Sequence, residues 1–201
     1  MSLSLDKENA MDMHRPAEII LTILFFGLIA GSYLAAQTPP PPVFEQPLLV
    51  TSAGQSSGDA QIALQLAKRA ALAATLSKTG TGKDLENQKT LVLVLGASMK
   101  GLGSAGLDTN KEKERIRELV AEAKKKNIPI LAMHLGGGQR RGELTDEIIN
   151  EFLPAAKMAI ILKSGNQDGL FTKICKAKDI PLIEVDKSLD AVEPLKKIFK
   201  R

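Results

Sequence analysis

The sequence predicts an α/β protein: a three-layer, doubly wound, mainly parallel sheet of about five strands, flavodoxin-like or Rossmann-like, preceded by one transmembrane helix. Short runs that are apolar throughout alternate with amphipathic segments along residues 47–201. Strands that are apolar on both faces are typical of parallel sheets covered by helices on both sides. Hydrophobic residues make up 44% of the chain, which is enough for a packed core. A separate long apolar run at residues 17–36 predicts the transmembrane helix.

The apolar run at 17–36, AEIILTILFFGLIAGSYLAA, is long enough for a membrane span, because about twenty helical residues cross about 30 Å of hydrocarbon. Residues 1–16 are polar and include basic side chains, and the next Lys or Arg is Lys68. The positive-inside bias therefore predicts a cytoplasmic tail at 1–16 and an extracytoplasmic domain after the span. The alternative is a cleaved signal segment, which would leave the domain secreted.

Two features flank the end of this span. Gly27 and Gly31 have the spacing of a helix-pairing motif, which leaves open a homodimer or a membrane-protein partner. Residues 37–46 contain four consecutive prolines and predict a stiff polyproline II stalk. The extracytoplasmic α/β domain is then predicted to occupy residues 47–201.

Strands and helices alternate along this domain. Strands are predicted where apolar residues are consecutive, at 47–53, 73–78, 90–96, 128–135, 157–165 and 180–186. The run at 73–78 is the weakest of them. Helices are predicted where apolar residues recur every three or four positions, at 57–72, 109–126, 143–153, 169–178 and 189–200. The predicted capping pairs are Ser56 with Asp59 and Thr109 with Glu112, and the predicted N-caps are Asp168 and Ser188.

Composition excludes several classes of function. Aromatic residues are 3% of the chain and Trp is absent, which argues against recognition of nucleic acid by stacking. The net charge is +4, and the lysines of 109–126 are interleaved with glutamates, as on a solvated helix face. Cys175 is the only cysteine, and no Cys/His spacing suggests a metal. The sequence thus predicts no nucleic-acid partner, no metal and no cofactor.

Four loops are candidates for a common site. They are 51–59, 96–108, 134–143 and 163–169, and each follows a predicted strand. Parallel strands bring such loops to one edge of the sheet, where ligands of doubly wound domains bind. These loops are rich in Gly, Ser and amide residues and are longer than ordinary connections.

The residue types in these loops favour an anion site. Glycines let the backbone approach a ligand, exposed N–H groups at helix starts attract anions, and arginines grip carboxylate or phosphate bidentately. The candidate ligand-binding residues are Ser52, Gly54, Gln55, Ser98, Lys100, Gly101, His134, Gly137, Arg140, Arg141, Asn166 and Asp168. The alternative is structural: Arg140 and Arg141 would pair with Glu143 and Asp146, and the others would satisfy loop backbone or face solvent.

A catalytic interpretation uses the same edge. Ser98 lies in GASMK, which resembles a nucleophile elbow except at Lys100, and the catalytic alternative is a relay of Ser98, His134 and Asp168 at this edge. The glycines of 101–106 match a dinucleotide fingerprint only weakly, because residues 97–100 separate them from the strand.

The motifs TSAGQS, GASMKGLGSAGLD, HLGGGQRRGELTDE and SGNQDGLF resemble an uncharacterised prokaryotic family of extracytoplasmic domains, described only as a domain of unknown function. The resemblance covers residues 47–187 and implies that the four loops form a common site, without implying an activity. The predicted function is a membrane-anchored domain that binds a small anion, as a receptor or as an accessory to a membrane partner. The alternatives are a hydrolase or transferase centred on Ser98 or His134, and a structural or assembly protein.

Overall fold

The computed structural model describes residues 44–200, so the predicted tail, span and most of the stalk lie outside the described residues. The strands are β1 Leu48–Ala53, β2 Ala74–Leu76, β3 Thr90–Leu95, β4 Ile130–His134, β5 Met158–Leu162 and β6 Leu182–Val185. The α-helices are α1 Ser57–Arg69, α2 Met99–Ser104, α3 Thr109–Lys125, α4 Glu143–Phe152, α5 Leu170–Ala177 and α6 Val192–Ile198. Between residues 44 and 200, no helix is long and apolar enough to cross a membrane.

All pairings in the sheet are parallel, in the order β2-β1-β3-β4-β5-β6. The predicted doubly wound α/β class is confirmed, but the sheet has six strands where about five were expected. The additional strand is β2, which lies within the run 73–78, the weakest of the predicted strands, and pairs with β1 from Leu48↔Ala74 to Val50↔Leu76. It is a partly exposed edge strand, and an edge strand needs less apolar surface than a central one.

Two apolar cores enclose the sheet, one on each face. Alternate residues of β1 point to opposite sides, so that Leu49 joins the core formed with α3, α4 and α5, whereas Val50 joins the core formed with α1 and α6. Strand β3 is buried along its whole length, as expected of a central strand covered on both faces. Residues 44–200 therefore form a three-layer unit with its own complete cores.

Helix α2 was not predicted, because its sequence MKGLGS contains two glycines. Gly101 is required where it stands: a Cβ at this position would lie 2.1 Å from the backbone oxygen of Gln55. Gly103 has open space around it. The close approach of α2 to the loop after β1 therefore explains one glycine of the motif and leaves the other unconstrained.

Several predicted caps are wrong. Asp108, rather than Thr109, caps α3 by accepting a hydrogen bond from the N–H of Lys111 at 2.8 Å. Ser56 is the N-cap residue of α1 as predicted, but its hydroxyl makes no capping bond and instead donates to Asp59. Gly169, with φ +73°, is the N-cap residue of α5, although the Asp168 carboxylate accepts from Leu170 N–H at 3.2 Å.

Candidate functional site

The four loops all leave the carboxyl ends of parallel strands and therefore lie along one edge. The topological switch point is between β1 and β3, because the chain passes from β1 to β2 on one side and continues with β3 on the other. Two backbone hydrogen bonds join the loops across this point: Ser98 N–H donates to Gly54 O at 2.8 Å, and Ser56 N–H donates to Gly96 O at 3.2 Å. Gly54 has φ +101°, a conformation that favours glycine.

Arg140 lies across this switch point. Its Nε donates to Asp59 Oδ2 at 3.2 Å, and that buried carboxylate also accepts from Ser56 Oγ at 2.5 Å. The stem of Arg140 packs on two glycines, since a Cβ at Gly136 would lie 2.4 Å from Arg140 Cβ and a Cβ at Gly96 would lie 3.1 Å from Arg140 Cγ. We call Ser56, Asp59, Gly96, Gly136 and Arg140 the Arg140 site.

The guanidinium of Arg140 is only partly used by these contacts. Its side chain is 38% exposed, and only Nε has a hydrogen-bond partner among residues 44–200. The two terminal nitrogens, Nη1 and Nη2, present a planar pair of donors that matches the two oxygens of a carboxylate or phosphate. Lys100 is exposed on α2 and makes no ion pair with any described residue, so it is a second available cation of this edge.

In Arg141, by contrast, all three guanidinium nitrogens have hydrogen-bond partners. Its Nε donates to Asp146 Oδ1 at 2.5 Å, its Nη1 and Nη2 donate to the two Asp168 oxygens at 3.0 and 2.8 Å, and Nη1 also donates to Gly165 O. The hydrogen bonds that Arg141 donates to Asp146 and Asp168 raise the pKa of Arg141, and the bonds from Arg141 lower the pKa of Asp168 to about 2. The guanidinium also lies 5.8 Å from the centre of the Phe171 ring. Arg141 therefore clamps the loop after β5 to α4.

The expected structural pairings of the two arginines are thus partly present. Arg141 pairs with Asp146 as the structural alternative predicts, and with Asp168 in addition. Arg140 pairs with Asp59 and not with Glu143, which makes no ion pair within the described part of the chain. The two adjacent arginines therefore have different partners and different exposure.

A buried ion pair supports the loop after β1, and sequence analysis missed it. Glu112 accepts from Gly54 N–H at 2.8 Å, from Gln55 Nε2 at 3.0 Å, and from Arg115 Nη2 and Nε at 2.7 and 2.9 Å. Arg115 also donates to Ser52 O at 2.7 Å and to Gly80 O at 2.8 Å. Burial alone would raise the pKa of Glu112, but the bonds and charge of Arg115 and the bonds from Gly54 and Gln55 lower it.

The side chains of Gln55 and Asn166 form hydrogen bonds that hold the loops of this edge in place. Gln55, at φ +61°, donates from Nε2 to Lys78 O at 3.2 Å as well as to Glu112. Asn166 donates to Thr172 Oγ1 at 2.7 Å and to Glu184 Oε1 at 2.9 Å, and its Oδ1 accepts from Phe171 N–H at 2.9 Å. The amide groups of both residues are therefore bonded within the protein.

The candidate relay of Ser98, His134 and Asp168 is not assembled. Ser98 Oγ accepts from Gly101 N–H at 3.1 Å, as the N-cap of α2. His134 is fully buried, with Nδ1 2.9 Å from Leu95 O and Nε2 3.1 Å from Gly137 O. Both ring nitrogens face backbone carbonyls, so neither is placed to take a proton from Ser98, and Asp168 is bound to Arg141 instead.

The remaining candidates are placed as follows. Ser52 is fully buried on β1, and its Oγ has no hydrogen-bond partner among the described residues. Gly137, at φ +58°, brings the loop after β4 against Ser164, to whose Oγ an added Cβ would come within 2.5 Å. Within residues 44–200, no group of three or more His, Cys, Asp or Glu side chains is arranged to hold a metal.

A cavity of about 590 Å³ lies at the same edge, beside the ends of β5 and β6. It is lined by Lys163, Ser164, Asn166, Gln167, Thr172, Glu184 and Asp186. Its charged lining is one cation and two carboxylates, which disfavours an anion there.

Residues 45–199 match the model of a family described as domain of unknown function DUF6305, which confirms the resemblance to an uncharacterised family. None of the curated proteins matches the chain.

Solved structures with some similarity have low TM-scores. A mutant of flavodoxin from Pseudomonas aeruginosa is 14% identical, with 73% of this chain and 91% of that chain covered and a TM-score of 0.34. A GDSL-like lipase from Bacteroides thetaiotaomicron is 13% identical, with 80% and 77% covered and a TM-score of 0.34. AlinE4, an esterase of the SGNH-hydrolase family, is 13% identical, with 77% and 81% covered and a TM-score of 0.30. At these TM-scores and identities, the similarities do not indicate what this chain binds.

Proposed function

We propose that this chain, which belongs to the DUF6305 family of unknown function, is a membrane-anchored extracytoplasmic domain that binds a small anion at Arg140. The ligand is of the carboxylate or phosphate type. The predicted span at 17–36 holds the domain at the membrane, where it acts as a receptor or as an accessory to a membrane partner.

One observation carries the binding proposal: the terminal nitrogens of Arg140 have no partner among the described residues, although the rest of the side chain is held in place. Asp59 accepts a hydrogen bond from the Nε–H of Arg140, and the side-chain stem packs on the glycines at 96 and 136. A guanidinium that is oriented before binding loses less conformational entropy when the ligand arrives. This orientation favours end-on, bidentate recognition of two ligand oxygens.

The charge of the Arg140 site sets the class of ligand. Asp59 cancels the charge of one guanidinium, so the pair alone attracts an anion only through directional hydrogen bonds. Lys100, exposed on α2, supplies a further positive charge at the same edge. A small, compact anion with one or two charges fits this balance better than a polyanion does.

The receptor or accessory interpretation is favoured over catalysis by the arrangement of the candidate groups. A nucleophile and its base must lie within hydrogen-bond reach of each other. Ser98 and His134 each bond to backbone groups and not to each other in the described structure. Binding needs only the Arg140 fork, which is present.

Thermal unfolding of the full chain in detergent, followed by circular dichroism, tests the proposal. Phosphate, sulfate, acetate and succinate are the probes, with chloride as the salt control. An anion present at 100 times its Kd stabilises the folded state by about 2.7 kcal/mol. For a domain of this size that raises the Tm by roughly 5–10 °C.

Two variants make the test specific. Arg140→Ala should abolish the anion-dependent rise in Tm, and Arg140→Lys should reduce it, because lysine keeps the charge but loses the planar fork. Lys111→Ala, which removes an exposed cation of α3, is the matched control and should leave the rise unchanged. A rise that survives in Arg140→Ala, or no rise with any probe, would contradict the proposal.

A further inference from the structure

The amino edge of the sheet, opposite the candidate site, carries a concentration of positive charge. Because the strands are parallel, this edge collects the loops before each strand and the ends of the helices. Its segments are 44–47, 68–73, 86–89, 124–129, 155–157, 176–181 and 196–200. The twelve cationic side chains in these segments are Lys68, Arg69, Lys89, Lys124, Lys125, Lys126, Lys157, Lys176, Lys178, Lys196, Lys197 and Lys200. The three carboxylates are Glu45, Glu86 and Asp179. We call this surface the basic face.

The carboxyl edge has no such excess. Its segments are 54–59, 77–81, 96–112, 135–146, 163–170 and 186–190. Their seven cations are Lys78, Lys100, Lys111, Arg140, Arg141, Lys163 and Lys187. Their eight carboxylates are Asp59, Asp108, Glu112, Glu143, Asp146, Asp168, Asp186 and Asp190. The positive charge of the domain is thus concentrated at one end of the molecule.

The helix ends at this edge explain part of the positive charge of the basic face. Cations in the last turn of a helix interact favourably with its dipole, as Lys68 of α1 and Lys124 of α3 do. This reason does not extend to Lys89 and Lys157, which directly precede β3 and β5 and lie beyond the end of any α-helix. The excess charge is therefore larger than the helices require.

Much of this charge is available to a partner. Lys89, Lys124, Lys157 and Lys178 are all exposed and make no ion pair with any described residue. Elsewhere on the face, Lys125 and Lys126 share Glu122, and Lys200 pairs with Glu45. Four unpaired lysines spread along one edge form a surface that attracts a negatively charged plane.

Phe44, which follows the predicted stalk, also lies at this edge. The backbone of Phe44 pairs with that of Phe199 beside the start of the sheet, and only residues 37–43 separate Phe44 from the predicted span. We infer that the basic face docks on the anionic phospholipid headgroups of the membrane. This inference rests on the proposed membrane anchoring, which would hold the face close to the lipid surface. Each lysine near an anionic membrane strengthens binding about fivefold.

Hydrogen–deuterium exchange of the full chain in lipid nanodiscs tests this inference. One set of discs contains phosphatidylcholine alone, and the other also contains phosphatidylglycerol. The backbone amides of 86–89, 126–128 and 178–180 should exchange at least about fivefold more slowly in the anionic discs. High salt should remove the difference, because surface charges are screened within a few ångströms at molar ionic strength.

Matched variants separate this surface from net charge. The first combines Lys89→Gln, Lys124→Gln, Lys157→Gln and Lys178→Gln, and it should lose the protection in anionic discs. The second combines Lys78→Gln, Lys111→Gln, Lys163→Gln and Lys187→Gln at the opposite edge, and it should keep the protection. Both lose the same charge, so equal behaviour of the two variants would overturn the inference.

The outcomes also distinguish a failure of the basic-face inference from a failure of the proposed membrane anchoring. If the chain dissociates from neutral discs but binds anionic ones, the result would contradict membrane anchoring and support docking of the basic face on anionic lipid. If the chain stays in both kinds of disc and its backbone amides exchange at the same rates in both, the result would support membrane anchoring and overturn the inference that the basic face docks on lipid. Protection by soluble polyphosphate but not by anionic discs would overturn the inference in favour of a soluble polyanion.

Discussion

Arg140 and Arg141 are neighbours in the chain, but their guanidinium groups lie in different surroundings. Arg141 is 13% exposed and bonds to two carboxylates and a carbonyl, so its donors are used within the protein. Arg140 bonds to Asp59 through one nitrogen and keeps its terminal fork open. At the residue scale, the hydrogen-bond partners of each guanidinium decide which arginine is able to take a ligand.

The bond between Arg141 and Asp168 has a measurable signature. Arg141 lowers the pKa of Asp168 to about 2 from the ordinary 3.8. The stabilisation from this pair is therefore present above the ordinary value and is lost as the pH falls from about 3.8 to about 2. An NMR titration of the Asp168 carboxyl carbon should give this low pKa, and Arg141→Leu should return it towards 3.8. A low pKa that persists in Arg141→Leu would refute the assigned cause.

The buried pair of Glu112 and Arg115 predicts a large loss of stability. Arg115→Leu leaves the buried Glu112 carboxylate without its cation, which should lower the free energy of unfolding by about 3–5 kcal/mol in urea denaturation. Because the pKa of Glu112 is lowered, this contribution is present at neutral pH and is lost as the pH falls through the lowered value.

Arg117→Leu, on the same helix, is the control for that prediction. Arg117 is 56% exposed and pairs with Glu151 at the surface, so its loss should cost at most about 1 kcal/mol. If Arg115→Leu and Arg117→Leu cost the same, the pair of Glu112 and Arg115 does not support the loop as described.

Sequence reasoning placed the right residue types at the carboxyl edge but could not assign their partners. Gln55, Asn166 and Asp168 were predicted for the site, and their side chains bond within the protein. Glu112 was predicted only as the capping partner of Thr109, because its helix looked like a solvated face. A signal was present, since Glu112 precedes Ile116 by four positions and therefore lies on the buried stripe of α3. Which carboxylate meets which arginine depends on loop packing, which the sequence pattern does not encode.

At the element scale, the two glycines of α2 give a matched pair of substitutions. Gly101→Ala places a Cβ 2.1 Å from Gln55 O, a backbone atom that cannot move away easily, so it should destabilise the fold by roughly 1–3 kcal/mol. Gly103→Ala meets no atom and should stabilise the helix by about 0.5–1 kcal/mol. Thermal unfolding of both variants measures the difference, and a stable Gly101→Ala would show that α2 does not pack on the loop after β1.

The elements that were predicted correctly are those whose signal is local. Strand β3 is apolar from Leu91 to Leu95, β1 begins with three consecutive apolar residues, and α3 has a regular apolar stripe. Helix α2 escaped prediction because its two glycines lower helix propensity, and it is held by tertiary contacts instead. The predicted strand at 157–165 ends early, because Lys163–Gly165 forms a 3₁₀ turn that carries the loop towards Arg141.

At the scale of the whole molecule, the parallel topology gives the domain two different ends. The carboxyl edge holds the Arg140 site at the switch point, and the amino edge holds the basic face beside Phe44. The sheet order explains why residues from three separate loops, Ser56, Gly96 and Arg140, meet at one place. The three loops meet because of the order of the strands in the sheet. The sequence predicted the fold class but not this order.

The most direct test of the anion site is NMR of the arginine side chains of the full chain during titration with phosphate or with the strongest anion from the thermal screen. We predict that the Nε and Nη resonances of Arg140 shift with saturable concentration dependence, whereas those of Arg141 stay in place because its donors are already bonded to Asp146 and Asp168. Saturable shifts confined to Arg141, or no shift at Arg140 with any anion, would contradict the account.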